Sequence, residues 1–425
     1  MAKLARTLAL HATLVAAGAI ATGNAQPAIP LRTVAPPIAS TREPLGLNLG
    51  LKQLSDGRLL FNDAGNRRLL LFDATLTTFT VVADTTGRAK LNYGRSARPF
   101  VAYLGDSSLI VDFSSASILV LDGTGTVARV AAPPKATDIG FLSSSRVLVD
   151  PTGSLVYRAS YPVQRRVGFS PPGEYVDRQV DSAPVVRASF VTRSVDTIAR
   201  IKLNVLLTSR RSVPLTGSEI RVEAVIAPFT YVDDWTVTSD GTIAVVRGAD
   251  YHIDWINADG SGESTPKMSF AWLRVSDDEK RRLADSARAA EEAKIDSLIG
   301  PRASRRPYGG ISFRSDVDGT ARSYTNNATF VSASPAEIPD YFPPIRAGAV
   351  QADHDGNVWI VPNTAVRPAS GGLVYDDVNR RGDITERVEL PAQRSIAGFG
   401  RAGLLYLMWR DDKSVWHLEA TRVIR

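Results

Sequence analysis

The feature that most constrains this chain is a short unit that recurs along it, built of turns and β-rich runs. In its first copy an Asp-Gly turn at residues 56–57 precedes a β-rich run that ends at Asp63. A second turn at residues 64–66 then leads into another β-rich run that ends at Asp73. Such turns between β-rich runs are typical of antiparallel hairpins.

The unit returns along the rest of the chain. Clear copies carry their turns at Gly105-Asp106, Asp240-Gly241 and Asp355-Gly356. Two degenerate copies complete the set. One runs from Ile139 through Val147 and a turn at 151–153 to Val185 and Ile198. The other runs from Ile396 through Leu404 to Glu419. Repeats of roughly 40–50 residues are typical of solenoids and propellers.

Six copies predict an all-β fold, a six-bladed β-propeller with four-stranded antiparallel blades. One blade cannot bury both of its faces, so blades must stack around an axis and close into a ring. The 425 residues exceed the roughly 260 that six bare blades need. We place the surplus in insertions at about 160–182 and 260–345 of a single propeller that spans residues 46–425.

The first copy resembles the NHL-repeat consensus, in which Asp-Gly is followed by a strand that ends in D-x-x-N-x-R. The matching residues are Asp63, Asn66 and Arg68. The chain as a whole resembles secreted bacterial six-bladed propellers of the NHL/TolB-like superfamily. In the second copy Ser115 and Ser117 replace Asn66 and Arg68, so the resemblance specifies architecture more closely than activity.

Residues 1–25 have the pattern of a secretory signal peptide: a basic start, a short apolar run and small residues before a cleavage site near Ala25. We therefore expect a secreted or periplasmic protein. Residues 26–45 are rich in Pro and predict an extended linker or an edge strand. No later stretch approaches the ~20 apolar residues of a transmembrane helix.

The second insertion contains a predicted surface helix at about 277–298. Ser276 and Glu279 form a capping-box pattern at its start, and Gly300-Pro301 end it. Such a long insertion is either a lid or partner-docking element, or decoration without a role. The first insertion is either a polar surface loop or a long excursion of the third blade.

Charge and residue types exclude several classes of function. The formal net charge of +6 is mild and scattered along the chain, which does not favour nucleic-acid binding. There is no Cys, and the four His residues show no zinc-ligand spacing. No G-x-S-x-G, HExxH, P-loop or dinucleotide-binding motif is present. We expect no cofactor.

The family pattern implies that the last residue of each second strand points to the rim of the propeller mouth. In this register the rim residues are Asp63, Asp112, Arg158, Arg247, Pro362 and Arg410. Acids and arginines from different blades would form a bipolar mouth for a zwitterionic or anionic group. For any single residue, pairing with a neighbouring loop amide or rim charge is the simpler explanation, because charged strand ends are ordinary.

Further candidate binding residues lie in or beside the loops that follow these strands. Asn66 and Arg68 either contact a ligand or connect the loop to its surroundings. Asp250 and His252 occupy the matching loop of the fourth blade, where a lone His is usually a satisfied polar residue. Trp409, beside Arg410, is either a ligand platform or packing between blades.

Two functions remain open. The first is an extracytoplasmic binding or scaffold module for a protein, a peptide or a small polar ligand at the mouth. The second is a hydrolase similar to the gluconolactonase/lactonase enzymes, which hold a divalent cation such as Ca²⁺ with Glu, Asn and Asp on the axis. We find no inward Glu to match theirs on a first strand, so no catalytic or metal residue is assigned.

Overall fold

The computed structural model describes residues 29–89, 91–94, 98–144, 146–159, 176–178, 181–214, 220–299, 326–363, 368 and 370–425. The leader and most of the 160–182 insertion lie outside the described residues. Within this part of the chain, six antiparallel sheets form the blades of a ring and a seventh sheet is separate. The six-bladed all-β propeller with an inserted α-helix is therefore confirmed.

Two short strands, β1 (Leu31–Thr33) and β2 (Ala39–Ser40), precede the first blade. Blade 1 contains β3 (Asn48–Gln53), β4 (Leu59–Asp63), β5 (Arg68–Phe72), β6 (Phe79–Asp84) and a short parallel addition, β7 (Leu91–Asn92). Blade 2 contains β8 (Phe100–Ala102), β9 (Ser108–Asp112), β10 (Ser117–Leu121) and β11 (Val127–Ala131). A 3-10 turn (Ala136–Asp138) and helix α1 (Ile139–Ser144) lead to blade 3. This blade contains β12 (Val147–Val149), β13 (Leu155–Arg158), β15 (Ser182–Ala188) and β16 (Val195–Lys202). Strand β14 (Val176–Arg178) lies between β13 and β15 in the chain but belongs to another sheet.

The chain then forms β17 (Leu207–Pro214) and β18 (Ile220–Ile226) outside the ring. Blade 4 contains β19 (Asp234–Val237), β20 (Ile243–Arg247), β21 (His252–Ile256) and β22 (Gly262–Ser264). Helix α2 (Asp277–Ile299), strand β23 (Asn326–Ser332) and a 3-10 turn (Pro335–Glu337) follow. Blade 5 contains β24 (Val350–Ala352), β25 (Val358–Ile360), β26 (Val374–Val378) and β27 (Ile384–Glu389), and blade 6 contains β28 (Arg394–Phe399), β29 (Leu404–Arg410) and β30 (Trp416–Arg422).

The start of the third repeat differs from its prediction at Ile139, which lies in helix α1 rather than in a strand. In so short an apolar run, strand and helix periodicity cannot be told apart. The helix buries Leu142 in the apolar cluster between blades 2 and 3. Asp138, the residue before this helix, accepts a hydrogen bond from the Tyr157 hydroxyl at 2.6 Å.

The ring is closed by the N-terminal segment. Blade 6 takes three strands from the end of the chain, and its outer strand is β2, which pairs antiparallel with β30. Thr41 adds a side-chain contact, since its hydroxyl accepts from the Leu418 amide at 3.0 Å. Strand β1 pairs parallel with β27 on the outside of blade 5. The first and last blade-forming segments of the chain thus share a sheet.

Apolar side chains fill the space between blades. Among the described residues, each of the six blade-to-blade interfaces has its own buried cluster, including the interface between blades 6 and 1. Strand β4 shows why: Leu59 and Phe61 face blade 6, whereas Leu60 between them faces blade 2. A blade strand is therefore apolar on both faces, because side chains alternate along a strand.

The upper face of the ring is the one that carries the loops between second and third strands and the links between blades. Three of these upper-face connections contribute strands to the seventh sheet, the cap sheet, in the order β14-β17-β18-β23. Helix α2 packs on it, with Ala284 buried against Val225 and Ala333. The hydroxyl of Ser276 accepts from the Glu279 amide at 3.3 Å and caps this helix. Within the described residues, no helix has the length and apolar character to cross a bilayer.

Candidate functional site

The nine candidate side chains divide into four groups on different blades. Five of the predicted rim residues close the second strands of their blades, and Pro362 lies two residues past β25. Those five strand ends are Asp63, Asp112, Arg158, Arg247 and Arg410. They belong to five different blades and do not converge in a single cluster.

The first group, Asp63, Asn66 and Arg68, forms one hydrogen-bonded network. The Asp63 carboxylate is fully buried and accepts from Asn66 Nδ2 at 2.9 Å and from Arg68 Nε at 2.7 Å. Its other oxygen accepts from the Gly46 amide at 2.8 Å. Arg68 also donates to Glu43 at 2.7 Å. These contacts fasten the incoming segment 43–46 to the loop between β4 and β5 of blade 1.

Asp112 is also engaged by its own loop. Its carboxylate accepts from the Ser115 hydroxyl at 2.8 Å and from the Ser114 amide at 3.1 Å. Arg98 lies 3.4 Å away, at the entrance to blade 2. Ser115, at the position of Asn66, thus keeps a contact to the strand-end carboxylate, whereas Ser117, at the position of Arg68, bonds to Ser115 instead.

Trp409 lies within a row of cross-strand neighbours in blade 6. The His417 ring stacks on it at 4.7 Å between centroids, and the Arg394 guanidinium lies 5.3 Å from its ring centre. These residues come from the two strands that flank β29, so the indole lies between them. The Arg410 guanidinium covers Trp416 instead, at 4.9 Å. Stacking partners thus occupy the surface that a ligand platform would offer.

The fourth group, Arg247, Asp250 and His252, lines a cleft of about 360 Å³ between blades 3 and 4, which we call the 3–4 cleft. The other lining residues are Ser182, Arg200, Ile201, Lys202, Asp233 and Ala249. Blade 3 supplies one wall from its two outer strands, and blade 4 supplies the other from the upper-face loop after β20. The volume lies at the lower end of the range for small-molecule sites.

Arg247 is held rigidly at the base of this loop. Its Nε donates to Asp254 at 2.7 Å, and its Nη1 donates to Asp233 at 2.8 Å and to the Arg200 carbonyl at 2.7 Å. Burial disfavours the charged guanidinium, but the hydrogen bonds to Asp254 and Asp233 outweigh it and raise the pKa of Arg247. The side chain therefore ties blade 4 to blade 3.

His252 lies between two carboxylates. Its Nδ1 is 2.7 Å from Asp250, and its Nε2 is 3.1 Å from Asp254. The hydroxyl of Ser264 also donates to Asp254. Burial raises the pKa of Asp254, but the hydrogen bonds from Ser264 and Arg247 outweigh it, and the net shift of this pKa is downward.

Blade 4 also places a buried carboxyl on its innermost strand, β19. Asp234, at the upper end of the first strand of blade 4, accepts from the Val350 amide at 2.8 Å and lies 3.6 Å from Arg146. Burial raises the pKa of this carboxyl. Within the described residues, no group of three or more His, Asp or Glu side chains is placed to hold a metal ion.

Sequence analysis missed Asp254, which contacts two residues of the 3–4 cleft, and several residues that line the cleft itself. Asp254 continues the every-second-residue spacing of Asp250 and His252, a signal that was available. Ser182 and Lys202 belong to the neighbouring blade, and nothing in their local sequence points to blade 4. They line the cleft because the ring places the outer strands of blade 3 beside the upper loop of blade 4.

No family model and no curated protein sequence matches this chain significantly. Solved propeller structures are similar to it in chain path. Regucalcin, a calcium-binding protein of Agrobacterium tumefaciens, has 12% identity and a TM-score of 0.40, covering 92% of this chain and 97% of its own. A gluconolactonase of Xanthomonas campestris has 11% identity, a TM-score of 0.35 and coverages of 91% and 98%. Virginiamycin B lyase of Staphylococcus aureus has 9% identity, a TM-score of 0.33 and coverages of 92% and 89%.

Proposed function

We propose that this chain is an extracytoplasmic binding module that takes a small polar ligand into the 3–4 cleft. One observation carries the proposal: residues of two blades, several of them charged, line a cleft of about 360 Å³. Pockets of this size with a few convergent polar groups are the usual form of small-molecule sites. The predicted leader supports export, and we propose cleavage near Ala25.

One of the connections that form the cap sheet begins and ends at the 3–4 cleft. The connection that forms β17 and β18 leaves blade 3 at Lys202 and returns at Asp233, and both residues line the cleft. The two residues are joined there, since the Lys202 amide donates to the Asp233 carboxylate at 2.9 Å and the Asp233 amide donates to the Lys202 carbonyl at 3.0 Å. This rigid junction supports a cleft that is formed before the ligand arrives, which lowers the cost of binding.

We also propose that the chain is related to NHL-repeat propellers of the TolB-like superfamily. The network of Asp63, Asn66 and Arg68 supports this, because the three matched residues bond to one another. In blade 4 the corresponding positions, Arg247, Asp250 and His252, line the cleft instead. A loop that stabilises blade 1 is thus adapted for binding in blade 4.

The contacts of His252 favour binding over hydrolysis. Both of its ring nitrogens face carboxylates, and among the described residues no serine or threonine hydroxyl is bonded to it. Ser264 is bonded to Asp254, not to the imidazole, so the described residues around His252 do not supply the nucleophile–base pair of a serine-type hydrolase.

Binding to the purified mature protein tests the proposal. A library of small polar metabolites would be screened by thermal shift, and hits measured by calorimetry on the wild type, on Asp250→Asn and on His252→Asn. His417→Asn is the matched control, because His417 also contacts an Asp, at 3.3 Å, but lies in blade 6. We expect hits whose affinity falls in the first two variants only. An absence of hits, or calcium-dependent hydrolysis of lactones, would overturn the proposal.

A further inference from the structure

His252 lies on the side of blade 4 that faces blade 3. It is directly opposite Arg247 on β20, and Val245, on the same face of that strand, packs in the apolar cluster between the two blades. The ring Nδ1 is 2.7 Å from the Asp250 carboxylate, and Nε2 is 3.1 Å from the Asp254 carboxylate. The imidazole therefore fastens Asp250, in the loop after β20, to strand β21 at the wall of the 3–4 cleft.

Hydrogen bonds to both carboxylates require a proton on each ring nitrogen. A neutral imidazole carries one N–H, and an ionised carboxylate can only accept. Burial raises the pKa of Asp254, but hydrogen bonds from Ser264 and Arg247 outweigh it and lower this pKa overall, so Asp254 is ionised. Nε2 must then donate to Asp254, and a second proton must lie in the 2.7 Å contact between Nδ1 and Asp250. Without that proton, the lone pair of Nδ1 would face a carboxylate oxygen.

The two carboxylates are anchored unequally. Asp254 is on β21 and accepts from Arg247 Nε at 2.7 Å and from the Ser264 hydroxyl. Asp250 is in a loop, and its other oxygen is 3.5 Å from Lys267, whose side chain is 71% exposed. Such an exposed ion pair contributes little. When the second proton is lost, the bond to Asp254 therefore remains and the contact to Asp250 opens.

We propose that His252 is a protonation-dependent latch on the wall of the 3–4 cleft. With two protons the ring holds the Asp250 carboxylate, and with one proton it releases this carboxylate, while the second proton passes to water. The ring is 20% exposed, so water reaches it. Histidine is the side chain that commonly changes charge between about pH 5 and pH 8. Among the described residues, the charged side chains of this network are Asp233, Arg247, Asp250, Asp254 and Lys267.

We expect the movement that the latch controls to be confined to Ala249 and Asp250. Gly248 and Tyr251 on either side are buried, and the Gly248 amide donates to Asp233 at 3.1 Å. Ala249 and Asp250 both line the cleft, so its wall is fixed when the ring has two protons and loose when it has one. This inference rests on the proposed function and adds to it a regulation by pH.

NMR on the isotope-labelled mature chain tests the latch without any ligand. That chain has three histidines, His252, His354 and His417, so His252→Asn identifies the ring signals of His252. We expect two ring protons at about pH 5 and one, on Nε2, at about pH 8. Over the same range, amide relaxation should show the backbone of Ala249 and Asp250 becoming more mobile.

Asp250→Asn separates the latch from simple packing. An amide can either donate to or accept from Nδ1, so the contact survives in both protonation states. The His252 ring should therefore still lose its proton, whereas the mobility of residues 249–250 should no longer change. His417 is the control within the same sample, because its Nε2 contacts Asp411 at 3.3 Å and its Nδ1 has no partner among the described residues. A neutral ring satisfies this arrangement, so the backbone near Asp411 should keep its mobility.

Two results would overturn the latch. One is a His252 ring that keeps the same number of protons from about pH 5 to about pH 8, and the other is a loop whose mobility does not follow the ring. Either result would leave the proposed function standing, because this readout needs no ligand. A failed metabolite screen, conversely, would remove the proposed function and leave the pH response of the loop.

Discussion

Asp377 is a buried carboxyl group at the contact between blades 5 and 6, and it predicts how the stability of the ring depends on pH. Only 2% of its surface is exposed, and its Oδ1 has no hydrogen-bond partner. Glu386 lies directly opposite on the neighbouring strand, and Arg425 lies 3.7 Å from Asp377 and 2.9 Å from Glu386. Burial, together with the charges of Asp353 and Glu386, raises the pKa of Asp377 to about 7.

The sign follows from comparing the folded and unfolded chains. Between about pH 4 and pH 7 the unfolded chain has released this proton, whereas the folded protein keeps it, so the free energy of unfolding falls as pH rises. A pKa raised from 3.8 to about 7 corresponds to roughly 4 kcal/mol in total, at ~1.36 kcal/mol per pH unit. About 2–3 kcal/mol of this loss occurs between pH 5 and pH 8.

Asp377→Asn removes the titration and keeps the shape of the side chain. We therefore expect the variant to gain about 2–3 kcal/mol of unfolding free energy relative to the wild type as pH rises from 5 to 8. With an unfolding entropy of ~2.1 cal/mol/K per residue, this is a relative gain of about 3 °C in Tm. The assay is thermal unfolding by circular dichroism at pH 5, 6, 7 and 8.

At each pH the Tm of the variant is compared with the Tm of the wild type, so that the effects of titrations common to both chains cancel. Asp412→Asn is the matched control, because Asp412 is exposed on blade 6 and should leave the pH profile unchanged. Parallel Tm profiles for Asp377→Asn and the wild type would refute the reasoning. Such a result would mean that Arg425 compensates the Asp377 charge fully.

Three further perturbations test the architecture. Arg68→Met leaves the buried Asp63 carboxylate without its cation, and we expect urea titration to show a loss of about 3 kcal/mol. Gly248→Ala would place a methyl group 1.9 Å from the Val232 carbonyl oxygen, for which we expect a loss of about 1–3 kcal/mol in the same assay. Deletion of residues 29–41 removes the outer strand of blade 6, and calorimetry should then show the loss of the single cooperative transition.

Each of these perturbations has a control in the same chain. Arg381→Met removes an arginine that is 83% exposed and should change stability by less than about 0.5 kcal/mol. Gly140→Ala adds a methyl group with no atom within 4 Å and should be tolerated. A chain that begins at residue 29 should keep its cooperative transition. Losses in the controls as large as those in the tests would contradict the assigned contacts.

The repeats predicted the blades because each strand carries its own signal. Alternate residues of β4 face different neighbouring blades, so Leu59, Leu60 and Phe61 are all apolar, and the Asp-Gly turn before them marks the hairpin. The end of each second strand was also readable, since turn residues follow it directly. The cap helix was predicted from its capping residue Ser276 and from the Gly300-Pro301 pair in the sequence. These features are local, so a short stretch of the sequence is enough to predict each of them.

The sequence by itself therefore determined the unit, the number of blades and the helix of the cap. Only the tertiary structure decided that β2 completes blade 6, that three separate insertions form the cap sheet, and that residues of blade 3 and the loop after β20 line one cleft. The physical reason is that these pairings join residues far apart in the chain. They depend on the angle and order in which blades pack around the axis, and no short stretch of residues records that geometry.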